Sequence, residues 1–274
     1  MKQTPARTRF KSYFGQANHY LVTALVGLHH LDSSNITSAP PELHAAWNPK
    51  NKKSSIQRTK IFALQSILGS AVDAIDMYIS LLYRKPNYLS NTRLESELDA
   101  ANRSVQKKVI AVASHYQVEP CLFALLDILI TWRNNVIHVL AENTLRVETR
   151  KTLIDNKDKI AECYRGLIID NLADKAEKGD GLTFKEAASL INAAHHFVEQ
   201  VDSAVIKAID IDVLCLRLVQ DEIDNKEKSN SFYIKYNSLT PEKRQRFVRI
   251  WLANNYGIVD IDEALIERCS NLKR

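Results

Sequence analysis

The sequence predicts an all-α protein, a helical bundle with N- and C-terminal helical extensions. Three observations carry this expectation. Apolar residues recur at spacings of three and four through most of the chain. Turn formers are scarce, with seven Gly and seven Pro in 274 residues. Helix start signals punctuate the chain, including the Thr-x-x-Glu capping boxes that begin at Thr92 and Thr183.

A first amphipathic helix is expected over residues 16–31, with Tyr20, Leu21, Ala24, Leu25 and Leu28 on one face. Residues 32–55 shift to Ser, Asn, Pro and Lys and read as a connector. A long helix follows over 56–84 and stops before Pro86, because the residue ahead of proline avoids the helical region. Its apolar stripe runs through Leu64, Ile67, Leu68, Ala71, Val72, Ile75, Ile79 and Leu82. The Thr92 box opens a helix to about residue 116, and Pro120 suits the first turn of a very apolar helix to about residue 142.

Residues 148–178 continue the helical pattern until Gly179-Asp180-Gly181 ends it. The Thr183 box starts a helix to residue 209 with Leu190, Ala194, Phe197, Val201 and Val205 facing inward. The short apolar run at 213–219 fits helix or strand. Thr240-Pro241-Glu242 opens a final helix that is basic, through Lys243, Arg244, Arg246 and Arg249. The chain thus divides into a helix and connector at 1–53, a bundle at 54–210 and a mostly helical extension at 211–274.

Composition narrows the function classes. A net charge of +5 permits nucleic-acid contact without demanding it. The four cysteines lie far apart with no CxxC pair, so buried free thiols in a reducing compartment are expected, rather than a zinc ribbon or redox pair. No run of about 18 apolar residues escapes a charge, and the basic N-terminus has no apolar core behind it. No membrane span or signal peptide is expected, and the location expected is cytoplasmic. The sequence has no Gly-rich phosphate loop of the Walker type. The adjacent histidines His29-His30 and His195-His196 point about 100° apart on a helix and cannot chelate one ion simply. Neither a metal nor a cofactor is expected.

The chemistry concentrates at Arg133-Asn134-Asn135-Val136-Ile137-His138, which ends the apolar helix. A cation, two amides and an imidazole are costly to bury without partners, so they form either a satisfied network or a site. Helical spacing sets Asn134 and His138 on one face with Thr131 and Asp127. Arg133 lies about 140° from His138, an offset that suits a site completed by another helix or another subunit. On the long helix Ser66, Ser70 and Asp73 share a stripe with Asp76 at its edge, and either carboxylate would meet Arg133 or His138 if the two faces packed.

Arg133-Asn134-x3-His138 resembles the Arg-[Asn/Asp/His]-x3-His signature of HEPN-domain ribonucleases, and the order of helices over about 54–210 is similar to that family's bundle. The resemblance implies metal-independent RNA cleavage by 2′-hydroxyl attack, within a homodimer whose motif helices meet in a composite site. His138 would be the general base or acid, Arg133 the phosphate ligand and Asn134 a positioning group, with Asp73 favoured over Asp76 as acidic partner. It further implies a toxin or anti-phage effector with an antitoxin or defence-system partner. The basic helix at Lys243, Arg244, Arg246 and Arg249, with aromatic residues nearby, reads as an RNA-binding surface. The alternative is a catalytically silent module of the same shape that binds RNA, a nucleotide or a protein partner.

Overall fold

In a computed structural model the chain is all-α, with no strand among the described residues. The structure describes residues 1–84, 86–89, 92–138, 142–225 and 231–273. The cap bonds expected of Thr92 lie outside the described residues. The N-terminal half comprises α1 (Pro5–Phe14), α2 (Ala17–Ser33), α3 (Lys52–Tyr83), α4 (Thr92–Ala101), α5 (Val105–His115) and α6 (Pro120–Ile137), with a 3-10 turn at Pro41–Leu43. Then come α7 (Val147–Asp155), α8 (Lys157–Cys163), α9 (Ile169–Lys178) and α10 (Phe184–Ala208). The C-terminal part is α11 (Ile211–Asp224), α12 (Ser231–Ser238), α13 (Pro241–Tyr256) and α14 (Glu263–Ser270).

The centre of the bundle is α3, α6 and α10, which pack on one another. The α3 stripe is buried from Leu64 through Leu82, except that Ile67 is only half-buried. The inward face of α10 is likewise sealed, and its capping box forms in full: the Glu186 backbone N–H donates to Thr183 Oγ1 at 3.3 Å and the Thr183 N–H to Glu186 Oε2 at 2.7 Å. Both α3 and α6 are long and apolar enough to cross a membrane by length and composition, yet half or more of each apolar stretch is buried against other helices.

The structure corrects several expectations. A helix precedes the first one expected: α1 starts from the Thr4 cap, whose hydroxyl accepts from the Arg7 N–H at 3.1 Å, with Pro5 in its first turn. Asp202 anchors it, accepting from the Thr4 backbone N–H at 3.1 Å and from the Thr4 hydroxyl. Phe10 and Phe14 then clasp the His195 ring at 5.3 and 5.4 Å, and burial lowers the pKa of that imidazole. His195 is therefore a packing residue. On α2 the inner face uses Ala17 and Leu21, while Tyr20 is 60% exposed.

The connector ends earlier than its composition implies, because Asn51 caps α3 by accepting from the Ser54 N–H at 2.9 Å. The helix expected over 92–116 breaks at Asn102, whose φ is +50°, and restarts at the Ser104 cap. The 148–178 region breaks at Asn156 and again at Arg165-Gly166, both with positive φ. The ambiguous run at 213–219 is helical. Three of the thiols are buried as expected, but Cys163 is exposed.

Candidate active site

The motif sits where α6 ends, and three contacts fix that end. Trp132 is buried and its indole N–H donates to the Asp180 carbonyl at 2.8 Å, tying α6 to the turn after α9. Asn135 works as a double-sided clamp. Its amide nitrogen donates to the carbonyls of Asn143, Ala176 and Glu177 at 2.8, 3.0 and 3.1 Å, and its oxygen accepts from the Asn143 N–H at 2.8 Å. On the opposite side Ile137 lies over α3, where a Cβ on Gly69 would meet Ile137 Cδ1 at 3.3 Å. Gly69 thus permits the close approach of α6 to α3.

The same crossing carries the charges. Arg133, one turn before Ile137, reaches Asp73, one turn after Gly69, with Nη2 to Oδ1 at 3.2 Å. Residue numbers rise on one helix as they fall on the other, so α3 and α6 run antiparallel here. Arg133 Nη1 also donates to Asn134 Oδ1 at 3.2 Å. Each terminal nitrogen of a guanidinium carries two N–H groups, so one on each is left over. The Arg133 side chain is 21% exposed and that of Asp73 is 61% exposed. A pair this wet contributes little to stability, but it holds the guanidinium in place.

His138 is the cap residue of α6 and no longer helical, with φ −103° and ψ 98°. Its N–H still bonds to the Asn134 carbonyl at 3.1 Å. Its ring is exposed and makes no hydrogen bond or ion pair among the described residues. The helix expected to reach residue 142 therefore stops at Ile137, and residues 139–141 lie outside the described residues.

No comparison identifies the site. The chain matches no protein-family model, no curated protein and no solved structure.

The expected polar stripe divides into two parts with different roles. Asn134 and His138 belong to the open end of α6, with Arg133 and Asp73. Asp127 lies deep in the bundle, where it accepts from Gln106 Nε2 at 2.7 Å, Arg146 Nε at 3.2 Å and Thr149 Oγ1 at 2.5 Å. That is a satisfied structural network. Thr131 is buried as well, and its hydroxyl has no hydrogen-bond partner among the described residues. Asp76 is given to another cation, Lys108, at 2.7 Å, which leaves Asp73 as the carboxylate at Arg133. Among the described residues no three His, Cys, Asp or Glu side chains gather as metal ligands would.

The basic helix α13 also divides. Arg244 is an internal staple: it donates to the carbonyls of Tyr236, Ser270 and Leu239 at 2.9, 3.2 and 3.2 Å and stacks over the Tyr236 ring. Arg249 donates to the Ile261 carbonyl at 3.1 Å and pairs with Glu263 at 2.7 Å. Arg244 is a correction to the expected RNA-binding set, since its donors are spent on carbonyls; Arg249 is tied to Ile261 and Glu263 but keeps one N–H on each terminal nitrogen. Lys243 and Arg246 are exposed and in no ion pair among the described residues.

Sequence reasoning missed Asn135. Its neighbour Asn134 carries the motif pattern, whereas Asn135 binds backbone groups more than 40 residues away at Ala176 and Glu177. A last-turn amide on an apolar helix is the one local signal for such a clamp.

Proposed function

We propose that this chain is a metal-independent endoribonuclease of the HEPN kind, with Arg133 and His138 as its working pair. The observation that supports it best is the Arg133–Asp73 contact at the open end of a buried helix, one turn from an exposed imidazole. Arg133, steadied by Asp73 and Asn134, would present its spare N–H groups to a scissile phosphate, a charge-assisted fork suited to that anion. His138 would take the proton of the ribose 2′-hydroxyl or give one to the departing 5′-oxygen. The 2′-oxygen bonds to phosphorus as the bond to the 5′-oxygen breaks. The products are a 2′,3′-cyclic phosphate and a 5′-hydroxyl.

The working form in this reading is a homodimer. Phe62 and Ile137 are 69% and 47% exposed, and Phe62 shares the α3 stripe of Ser66, Gly69 and Asp73. Apolar side chains flanking a half-open site suit a second copy that supplies the other half. The biological role proposed is a toxin or defence effector acting on cytoplasmic RNA and held in check by an antitoxin or other partner.

Incubating the purified chain with total RNA in EDTA tests the proposal. Cleavage is expected, and Arg133→Ala should slow it by roughly 10²–10³-fold, the effect of losing one preorganised charge-stabilising group. Equal cutting by both proteins, or cutting that disappears on chelation, would overturn it. One feature favours the silent-module alternative: the His138 ring touches neither Arg133 nor Asp73 by a hydrogen bond. In that case the RNA stays intact at every enzyme concentration.

A further inference from the structure

Away from the motif, two depressions on one side of the molecule share a rim. The first, about 670 Å³, lies between α1 and the end of α13, and carries Lys2 and Arg9. The second, about 540 Å³, lies along α13 and carries Lys235, Lys243 and Arg246. Asn254 and Asn255 line both, so the two form one trough. All five cations are exposed, and none is in an ion pair among the described residues. Among the described residues no carboxylate lines either depression.

The floor of the trough is aromatic. Half-buried Trp251 and Phe247 line its α13 end, each in tilted ring contact with Phe232, at 4.5 and 5.2 Å. The Lys235 ammonium lies 5.1 Å from the Phe247 ring centre. Tyr256 lines the other end and also borders a depression carrying Asp221, Glu222 and Asp224, where a polyanion's path would have to stop.

We infer that this trough binds a single-stranded polynucleotide, separately from the motif at the end of α6. Five unpaired cations spaced along a groove neutralise successive phosphates. Rings held rigidly in its floor offer stacking faces, and the two amides offer donors and acceptors to base edges. An acidic peptide would use the cations but not the stacking floor, and a duplex would keep its bases out of reach. That the strand is RNA, and that the trough feeds it to the motif, rests on the ribonuclease reading; the binding itself does not.

The test uses the full chain and a fluorescent, unstructured 15-nucleotide RNA with 2′-O-methyl sugars throughout, so that 2′-hydroxyl attack cannot destroy the probe. Binding by anisotropy should weaken with salt with a log–log slope of about −3.5 if all five cations contact phosphates of a single strand. The double substitution Lys243→Gln, Arg246→Gln should weaken binding at least 10-fold, flatten the slope by about 1.4, and leave the thermal midpoint unchanged. Lys2→Gln with Arg9→Gln should do the same from the other end, whereas Lys151→Gln on α7 should not. Equal weakening by Lys151→Gln would overturn the trough, as would equal affinity for a duplex or for polyglutamate. Loss of binding in Arg133→Ala with none in the trough variants would overturn it too, by moving the site to α6. Binding that follows the trough variants while natural RNA stays uncut would uphold the trough and contradict the ribonuclease.

Discussion

His138→Ala is expected to slow RNA cleavage by roughly 10²–10⁴-fold, the range for losing a general acid or base, while leaving the protein folded. The two halves of this result have separate physical causes. In the proposed mechanism His138 is the group at the end of α6 that would carry the proton, so cleavage should depend on it. Its ring is exposed and unbonded among the described residues, so the fold does not depend on it. The thermal midpoint should stay within roughly 2 °C of the wild type. Single-turnover rates on a defined RNA, with melting curves on the same preparations, check both halves. A variant that melts normally and cuts at the wild-type rate would remove His138 from the mechanism.

Asp127→Ala should show the opposite profile. This carboxylate is 1% exposed and binds Gln106 on α5, Arg146 beside α7 and Thr149 within α7. Removing it leaves three donors without their acceptor, and one of them is a guanidinium only 31% exposed. Breaking a buried pair from one side costs about 3 kcal/mol or somewhat more. For a protein of this size the midpoint should fall by roughly 6–12 °C. Turnover per folded molecule at low temperature should change by no more than a few fold. An unchanged midpoint would show that the Asp127 network is not structural.

These two profiles separate residues that helical spacing alone placed on one stripe. Helical periodicity sets rotation about an axis but carries no information about depth, and it ceases to apply at His138, which is no longer helical. Asp127 lies three turns further into the bundle, where Arg146 and Thr149 reach it from a segment some 20 residues later. The long helices α3 and α10 were legible because their apolar stripes agree with their caps over many turns. The Arg133–Asp73 contact was foreseeable for the same reason, since each residue lies on the face that two apolar helices present to one another.

What escaped the sequence was long-range or single-residue. The break at Asn102 is one left-handed residue inside a region that otherwise reads as continuous helix. The dependence of α1 on Asp202 spans 198 residues, although its own Thr4-Pro5 start has the same form as Thr240-Pro241, which was read correctly. Arg244 and Arg249 looked like free cations because the carbonyls and the carboxylate that occupy them come from α12, α14 and the turns beside them. The cations of the trough are divided between the first nine residues and the last third of the chain, and only the fold brings them together.

In the proposed reaction the end of α6 directs the ribose 2′-hydroxyl against its own phosphate. Two RNA oligonucleotides of identical sequence are compared in EDTA, one carrying a single 2′-O-methyl group at the linkage where cleavage is expected. The account predicts that the unmodified strand yields a 2′,3′-cyclic phosphate and a 5′-hydroxyl at that linkage, and that the methylated linkage stays intact. Cleavage of the methylated linkage at an undiminished rate would contradict it.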